Sequence, residues 1–149
     1  METIFQICCD IIRALSYTFG ITYEEMNTYL FIYAQPMILI ISFVIVIGTI
    51  LSKLLKKVSI LKIFLLGLFG TAGFLYTLAT LAVWKRYSVL SAHDTCVLSY
   101  KDLETLGKIT GLGYIGINLF LFIVLFLIIL GFNIISAFLI KKYVKCYPK

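Results

Sequence analysis

The sequence predicts an all-helical membrane protein with three transmembrane helices, an N-terminal amphipathic helix and a short amphipathic helix in the outer loop. Three stretches without a charged residue lead to this prediction, because about 20 apolar residues suffice for a helix to cross a bilayer. Hydrophobic residues make up 62% of the 149-residue chain and charged residues 13%, against roughly 25% charged in an average soluble domain. The uncharged stretches are Met26–Ser52, Ile63–Trp84 and Ile109–Ile140.

We expect a single membrane domain, because the segments between the spans are too short to form a separate soluble domain. No stretch has the composition of a linker or the regularity of an internal repeat. The predicted parts are an amphipathic helix at 1–20, span 1 at 23–52, span 2 at 59–84, an outer loop at 85–112, span 3 at 113–140 and a basic tail at 141–149.

The first 20 residues have the pattern of an amphipathic helix rather than that of a cleaved signal peptide, which begins with basic residues. Polar residues from Glu2 to Tyr17 recur at spacings of four and three and share one face. The apolar side either lies in the headgroup plane of the bilayer or packs on the spans of the same chain. Asp10 and Arg13 near the middle argue against a fourth span.

Span 1 has a well-specified start. Gly20 can end the first helix, and Thr22 stands three residues before Glu25, a capping-box arrangement that predicts a helix from about Tyr23. Pro36 removes one backbone hydrogen bond from this helix and predicts a bend, which membrane helices tolerate when side chains satisfy the freed carbonyl group. A structural bend is the simpler interpretation, and a pathway beside Gln35 is the alternative.

Span 2 contains small residues at spacings that allow a second helix to approach closely, which matters because lipid provides no hydrophobic drive for helix association. The approaching helix is either another span of this chain or a span of a second copy. The candidate packing residues are Gly67, Gly70, Thr71, Gly73 and Thr77.

Three amides are expected inside the bilayer, where they need hydrogen-bond partners. They are Gln35, Asn118 and Asn133. Polar residues at this depth are candidates for function, although contacts that hold helices together are the simpler interpretation. The absence of acidic and basic residues from the three uncharged stretches argues against an ion-coupled transporter or a proton relay.

The distribution of lysine and arginine predicts the orientation, because loops rich in these residues stay in the cytoplasm. The 53–62 loop and the tail after Ile140 share one side of a three-span chain and carry eight cations and no acid, whereas the other side carries five cations and all seven acids. We therefore expect a cytoplasmic (inner) membrane protein with its N-terminus outside and its C-terminus in the cytoplasm. The net charge of +6 then indicates anionic lipid headgroups as partners and not nucleic acid.

The outer loop carries a second candidate helix start, because Ser99 stands three residues before Asp102. The apolar spacing that follows predicts a short surface helix that ends between Gly107 and Gly111. Since loops held by a rigid scaffold often carry specificity, we expect this loop and the N-terminal helix to recognise a protein partner. The candidate partner-binding residues are His93, Asp94, Asp102 and Glu104.

Patterns of catalytic residues are weak, and we expect neither enzyme activity nor a cofactor. His93, Asp94 and Cys96 lie close together, but one histidine without a second set of ligands is poor evidence for a metal site or a Cys–His nucleophile. Residues 107–110 lack the earlier glycine and the strand of a phosphate-binding loop.

Cys96 could pair with Cys8 or Cys9 on an oxidising side, whereas buried free thiols are an equal alternative for Cys8 and Cys9.

The order of these parts resembles a family of small integral membrane proteins of Bacteroidota. The resemblance is carried by residues 21–27, Ile-Thr-Tyr-Glu-Glu-Met-Asn, which lead into span 1, and by Gly111-Leu112-Gly113-Tyr114 at the entry to the last span. Gly113 departs from the asparagine of the family pattern, and the matching parts cover about a third of the chain. The family has no assigned activity, so the resemblance implies a bacterial setting and no mechanism.

Two classes of function agree with these observations. In the first, the protein is an accessory or immunity-type protein that binds a membrane-protein partner or an incoming toxin. In the second, it oligomerises into a pore or a membrane-disrupting effector through the small-residue face of span 2. The lack of charged residues in the spans favours the first class, although hydrophobic constrictions also gate pores.

Overall fold

A computed structural model describes residues 1–54, 60–87 and 89–143. All regular secondary structure in these ranges is helical. Three of the helices are long and apolar enough to cross a membrane, namely Tyr23–Ser52, Ile63–Tyr87 and Gly113–Lys141. These findings confirm the prediction of an all-helical membrane protein with three spans, an N-terminal helix and a further helix before the last span. Most of the predicted basic tail, including Cys146, lies outside the described residues.

Two of the three spans change their helical winding along their length. The helix that forms span 1 passes from α-helical to π-helical winding and back, and span 3 does the same. The elements are α1 (Glu2–Phe19), α2 (Tyr23–Thr28), the π-helical segment π1 (Tyr29–Ala34), α3 (Gln35–Leu54), α4 (Ile60–Tyr87), α5 (Ala92–Thr110), α6 (Gly113–Leu119), the π-helical segment π2 (Phe120–Leu125) and α7 (Phe126–Tyr143).

The chain divides into two compact units. Unit 1 comprises Met1–Pro36 and Val83–Phe126, and therefore holds α1, α2, π1, α5, α6 and π2. Unit 2 comprises Met37–Ala82 and Leu127–Lys149, of which the structure describes 37–54, 60–82 and 127–143.

Unit 2 has a small apolar core to which α3, α4 and α7 all contribute. Val46 and Ile50 are fully buried there, and the rings of Phe69 and Phe132 stack at a centroid distance of 5.6 Å. The amide of Asn133 donates to the hydroxyl of Ser42 at 2.8 Å, so this buried asparagine joins α7 to α3. The hydroxyl of Ser42 in turn donates to a backbone carbonyl of its own helix. The buried core residues are Phe43, Val46, Ile50, Phe69 and Ile140.

The turn between α1 and α2 has the predicted geometry. Gly20 adopts a left-handed conformation with a φ of 66°, which a residue with a Cβ rarely adopts. Thr22 and Glu25 form the expected capping box, in which each side chain accepts a hydrogen bond from the other residue's backbone N–H. Both predictions for the start of span 1 are therefore confirmed.

Helix α1 packs on unit 1 and also keeps an apolar strip exposed. Ile12 and Ser16 are buried against the rest of the unit, whereas Ile4, Ile7 and Ile11 are each more than half exposed. The two interpretations offered by the sequence are therefore not exclusive, because one side of α1 contacts the protein while the exposed isoleucines remain available to lipid.

Helix α5 is longer than predicted and begins earlier. Its N-cap is Ser91, whose hydroxyl accepts from the backbone N–H of Asp94 at 3.1 Å. The predicted start at Ser99 is wrong, because Ser99 lies inside the helix and its hydroxyl donates to the carbonyl of Cys96. The helix ends at Gly111, which has a φ of 73°. The predicted end between Gly107 and Gly111 is thus confirmed.

Helices α5 and α6 pack backbone against backbone at Gly107. A Cβ added there would lie 2.5 Å from the carbonyl carbon of Gly113 and 2.9 Å from the nitrogen of Tyr114. No side chain fits into such a space without moving the backbone. Gly107 therefore sets how closely the end of α5 approaches the start of span 3.

In span 1 the change of winding occurs next to Pro36. In an uninterrupted α-helix the N–H of residue 36 would donate to the carbonyl of Ile32, and proline has no N–H. The indole N–H of Trp84 donates to this carbonyl instead. A side chain thus bonds to the carbonyl that α-helical pairing would leave without a donor at this proline, and membrane helices tolerate proline in this way.

Candidate functional site

Unit 1 contains two adjoining cavities near the first turns of spans 1 and 3. We call them the apolar cavity, of about 220 Å³, and the polar cavity, of about 210 Å³. The apolar cavity is lined by Phe5, Cys8, Cys9, Ile11, Ile12, Tyr23, Asn27, Leu30, Phe31, Gln35, Tyr114, Asn118, Leu119, Phe122 and Ile123. The polar cavity is lined by Tyr23, Asn27, Thr28, Phe31, Ile32, Cys96, Ser99, Tyr100, Leu103, Tyr114, Asn118 and Phe122.

Six side chains line both cavities, and they come from only two stretches of chain. Tyr23, Asn27 and Phe31 recur at a spacing of four on span 1, so they share one face of the helix. Tyr114, Asn118 and Phe122 repeat the same order at the same spacing on span 3. Each span therefore contributes a tyrosine, an asparagine and a phenylalanine to the wall.

The wall is closed at its deeper end by contacts between the two π-helical segments. The rings of Phe31 and Phe122 lie 4.4 Å apart between centroids. The side-chain amide of Gln35 donates to the backbone carbonyl of Phe122 at 2.8 Å. The carbonyl that accepts this hydrogen bond lies inside π2, and π-helical turns of this kind occur frequently at functional sites.

Two free thiols hydrogen-bond to the polar residues of the wall. The hydroxyl of Tyr23 donates to the Sγ of Cys9 at 3.7 Å, and the amide of Asn27 donates to the Sγ of Cys96 at 3.9 Å. Cys8, Cys9 and Cys96 are all unpaired in the structure. Burial raises the pKa of the Cys96 thiol, and the hydrogen bond from Asn27 opposes this rise. A protonated, half-buried thiol is a poor nucleophile.

Thr28 contributes a buried hydroxyl that has no hydrogen bond to the described residues. Its side chain lines the polar cavity, the residue is 7% exposed, and its Oγ1 has no partner among the described residues. A buried hydroxyl without a partner is destabilising by about 1–3 kcal/mol. A molecule bound in the cavity could form the missing hydrogen bond with the hydroxyl of Thr28.

The structure places the three predicted intramembrane amides in two different settings. Gln35 and Asn118 line the same cavity in unit 1. Asn133 belongs to unit 2, where its amide nitrogen contacts Ser42 and its Oδ1 has no partner among the described residues. Asn133 also lines an apolar groove of about 410 Å³ within that unit.

The predicted partner-binding residues are all engaged in contacts within unit 1. His93 pairs with Glu24 at 2.9 Å, and Glu24 raises the pKa of His93 through this hydrogen bond and its charge. Asp94 accepts from Ser91 at the start of α5. The remaining contacts join Asp102 to Arg86 and Tyr87, each at 3.0 Å, and Glu104 to Lys108 at 2.9 Å.

The predicted packing residues of span 2 do not act together. A Cβ added at Gly73 would lie 3.1 Å from Phe43 on α3, so this glycine does allow a close approach between helices of unit 2. Added Cβ atoms at Gly67 and Gly70 would meet nothing within 4 Å. Thr71 is exposed, and the hydroxyl of Thr77 donates to the carbonyl of Gly73 on its own helix.

Sequence reasoning missed Tyr23, Asn27, Thr28 and Tyr114 as parts of one site. The available signal was the repeat of tyrosine and asparagine four residues apart at the start of spans 1 and 3. This repeat indicates a common site only when the starts of spans 1 and 3 lie side by side, and the sequence does not show that they do. Among the described residues, no group of three or more histidine, cysteine or acidic side chains is placed to hold a metal ion.

Comparisons of the chain with protein-family models, with curated proteins and with solved structures find no match.

Proposed function

We propose that this protein is a non-catalytic membrane protein that binds another membrane protein or an incoming toxin, in an accessory or immunity-type role. The observation that carries the proposal is the arrangement of α5. One face of this helix contacts the rest of unit 1. The opposite face is exposed and carries acidic as well as basic side chains.

The inner face of α5 is fixed by polar and apolar contacts. Thr95 and Leu103 are buried, and Asp102 binds both Arg86 and Tyr87 at the end of α4. The pair between His93 and Glu24 adds a link to α2. A helix held at several points presents its free face with little loss of conformational entropy on binding, which favours recognition.

The free face follows helical spacing along the whole of α5. This exposed face contains acidic, basic, apolar and hydroxyl side chains, a mixture typical of the polar rim of a protein–protein interface. Its members are Asp94, Val97, Lys101, Thr105 and Lys108, with Glu104 at the edge.

Glu104 offers the sharpest test, because it forms an ion pair with Lys108 one helical turn away on the same exposed surface. Exposed pairs of this kind contribute about 0.3–0.5 kcal/mol to stability. Reversing either charge should therefore leave folding intact while weakening binding to the partner. A photo-crosslinking amino acid in place of Thr105 should capture a discrete partner in native membranes. The control is the same photo-crosslinking amino acid in place of Tyr17, which lies on the exposed face of α1.

The double variant Glu104→Lys with Lys108→Glu distinguishes recognition from stability, since it keeps the ion pair and reverses the charge pattern. Reduced capture in both the single and the double variants supports the proposal. Wild-type capture in all three variants, or equal capture from positions 105 and 17, would reject α5 as the recognition surface.

We further propose that the protein lies in the cytoplasmic membrane of a bacterium with its N-terminus and α5 outside. The excess of lysine in the 53–62 loop and in the tail supports this orientation, and the resemblance of residues 21–27 to membrane proteins of Bacteroidota supports the bacterial setting. A reporter fused after Lys149 should be active only in the cytoplasm, and Thr105→Cys should react with an impermeant thiol reagent in intact cells. The opposite pattern would invert the orientation.

A pore or membrane-disrupting oligomer is the second candidate function. The observation that favours it is the open space beside Gly67 and Gly70 on α4, next to the exposed Thr71. Small residues at such positions allow a second copy to approach. A pore should depolarise cells on expression and should show a solution mass that is a multiple of 16.9 kDa, whereas a partner-binding monomer should do neither.

A further inference from the structure

We infer that the polar and apolar cavities of unit 1 together bind an uncharged, hydroxyl-bearing amphiphile taken from the bilayer. The inference goes beyond the binding of a protein partner by α5. It rests on the chemistry of the cavity walls, on the position of the cavities along the spans and on the unsatisfied hydroxyl of Thr28.

Among the described residues, the walls carry no side chain that is charged at neutral pH. None of the described residues that line either cavity is Asp, Glu, Lys, Arg or His. A charged headgroup would lose its hydration there without gaining a counter-charge, which is strongly unfavourable. The walls do offer hydroxyl groups and amides, which both donate and accept hydrogen bonds. These groups select a neutral, hydroxylated headgroup.

The polar groups lie near the starts of the candidate spans 1 and 3, and we therefore expect them at the level where the lipid headgroups meet the acyl chains. Span 1 begins at Tyr23 and span 3 at Gly113, and Asn27, Thr28 and Asn118 follow within about 8 Å at a rise of 1.5 Å per residue. Gln35 lies about 18 Å from the start of span 1 by the same measure. The polar cavity is thus shallow, and the apolar cavity reaches deeper into the span.

The two cavities have complementary walls and share six residues. Among the residues unique to the apolar cavity, most are aliphatic or aromatic, including Leu30, Leu119 and Ile123. Those unique to the polar cavity include Thr28, Ser99 and Tyr100. The arrangement matches a molecule with a hydroxylated head and a hydrocarbon chain. Each cavity exceeds the about 150 Å³ of an engineered protein cavity that binds benzene.

Thr28 supplies the observation that points to an occupant. Its hydroxyl is buried, lines the polar cavity and has no hydrogen-bond partner among the described residues. Buried polar groups in proteins are nearly always paired. The neighbouring Asn27 directs its amide to Cys96. A hydroxyl group of a bound amphiphile would complete the hydrogen bonding of Thr28.

The test uses the full chain in nanodiscs of phosphatidylcholine and three probes with the same medium-length chain. The probes are a monoacylglycerol, which has hydroxyl groups and no charge, the corresponding fatty acid, which is charged, and the alkane of the same chain length, which has no group that forms hydrogen bonds. Binding is measured by native mass spectrometry. We expect the monoacylglycerol to bind about tenfold more tightly than either of the others, since only it pairs with Thr28 without bringing a charge into the cavity.

Thr28→Val removes the hydroxyl and keeps the shape of the side chain. We expect this variant to bind the monoacylglycerol about three- to tenfold more weakly than the wild type. Thr49→Val is the matched control, because the hydroxyl of Thr49 is exposed on the same span and donates to the carbonyl of Ile45. Thr49→Val should bind like the wild type.

Equal binding of the three probes to the wild-type protein overturns the inference, as does retention of phosphatidylcholine alone. The comparison of the three probes uses only the wild-type protein, so it tests the proposed ligand class even if Thr28→Val fails to fold. Wild-type affinity in Thr28→Val, or an equal loss in Thr49→Val, would also overturn the assignment of Thr28.

Discussion

Trp84 donates its indole N–H to the carbonyl of Ile32, the group to which residue 36 would donate in an α-helix if it were not a proline. The ring of Trp84 also contacts that of Tyr33, with centroids 5.9 Å apart. One side chain at the end of α4 thus satisfies the backbone defect of span 1 and packs against it. Since a buried, unpaired carbonyl is costly in lipid, this contact fixes Trp84 to the defect in unit 1.

Trp84→Phe should destabilise the protein by about 1 kcal/mol, because the ring contact remains and the carbonyl of Ile32 loses its partner. Unfolding in mixed micelles measures the change. The control is the same substitution in a Pro36→Ala background, where the restored N–H of residue 36 can donate to Ile32. An equal cost in both backgrounds would show that the hydrogen bond and the proline are not coupled.

Gly107→Ala should destabilise unit 1 by about 1–3 kcal/mol or prevent its folding, since the new Cβ would overlap the backbone of Gly113. Gly131→Ala is a suitable control, because an added Cβ at Gly131 meets nothing within 4 Å and alanine favours a helix by about 0.5–1 kcal/mol. The comparison is made by thermal unfolding in the same lipid environment. Similar unfolding of the two variants would contradict the observed approach of α5 to α6.

Gly73→Leu and Gly70→Leu should behave differently, although the sequence alone assigns both to one packing face. The larger side chain at residue 73 would press on Phe43 and destabilise unit 2 by about 1–3 kcal/mol. At residue 70 it has free space in a single copy, so stability should be unchanged. Measurements of unfolding and of mass separate these outcomes, since a change of mass in Gly70→Leu alone would show that this face contacts a second copy.

His93 should make stability depend on pH. Its pKa is raised above the ordinary value of 6.5 by the hydrogen bond and charge of Glu24. The pair therefore stabilises the fold fully below pH 6.5, and this contribution is lost as pH rises through the elevated pKa of the folded state. Because the chain contains a single histidine, an NMR titration reports His93 directly. Glu24→Gln should lower its pKa, and an unchanged titration would rule out the pair in solution.

Asp102→Asn should affect folding more than recognition, in contrast to the charge reversals at Glu104. Asp102 binds Arg86 and Tyr87 and is half-buried, so its loss should lower stability by about 1 kcal/mol. Arg86→Gln should show a similar but smaller effect, because the bond from Tyr87 remains. Normal stability with lost partner capture in Asp102→Asn would instead place Asp102 in the interface.

The helix boundaries that the sequence predicts well are those with local causes. The conformation of Gly20 and the capping box of Thr22 with Glu25 involve residues within a few positions of each other, and both are present in the structure. The start of α5 shows the limit of this reasoning. Ser91 and Ser99 each precede an aspartate by three residues, so local spacing does not distinguish the two starts, and the structure has the N-cap at Ser91.

The candidate cavity depends on distant parts of the chain and could not be predicted in the same way. The amide of Gln35 meets a carbonyl 87 residues later, and Asn27 meets Cys96 across 69 residues. The sequence singles out Gln35 and Asn118 as polar residues in apolar surroundings, but no periodicity shows that they face one another. The π-helical winding at Phe122 has no local signature either, because its apolar neighbours suit an ordinary α-helix equally well.

The uncharged lining of the two cavities has a consequence for how their occupancy responds to the surroundings. Contacts between formal charges weaken with ionic strength, and a charge moved within the membrane feels the transmembrane voltage. Hydrogen bonds from Thr28, Asn27 and Asn118 to a neutral molecule depend on neither. Occupancy of these cavities should therefore follow the abundance of the molecule in the lipid phase and stay constant when cells change their salt content or lose their membrane potential.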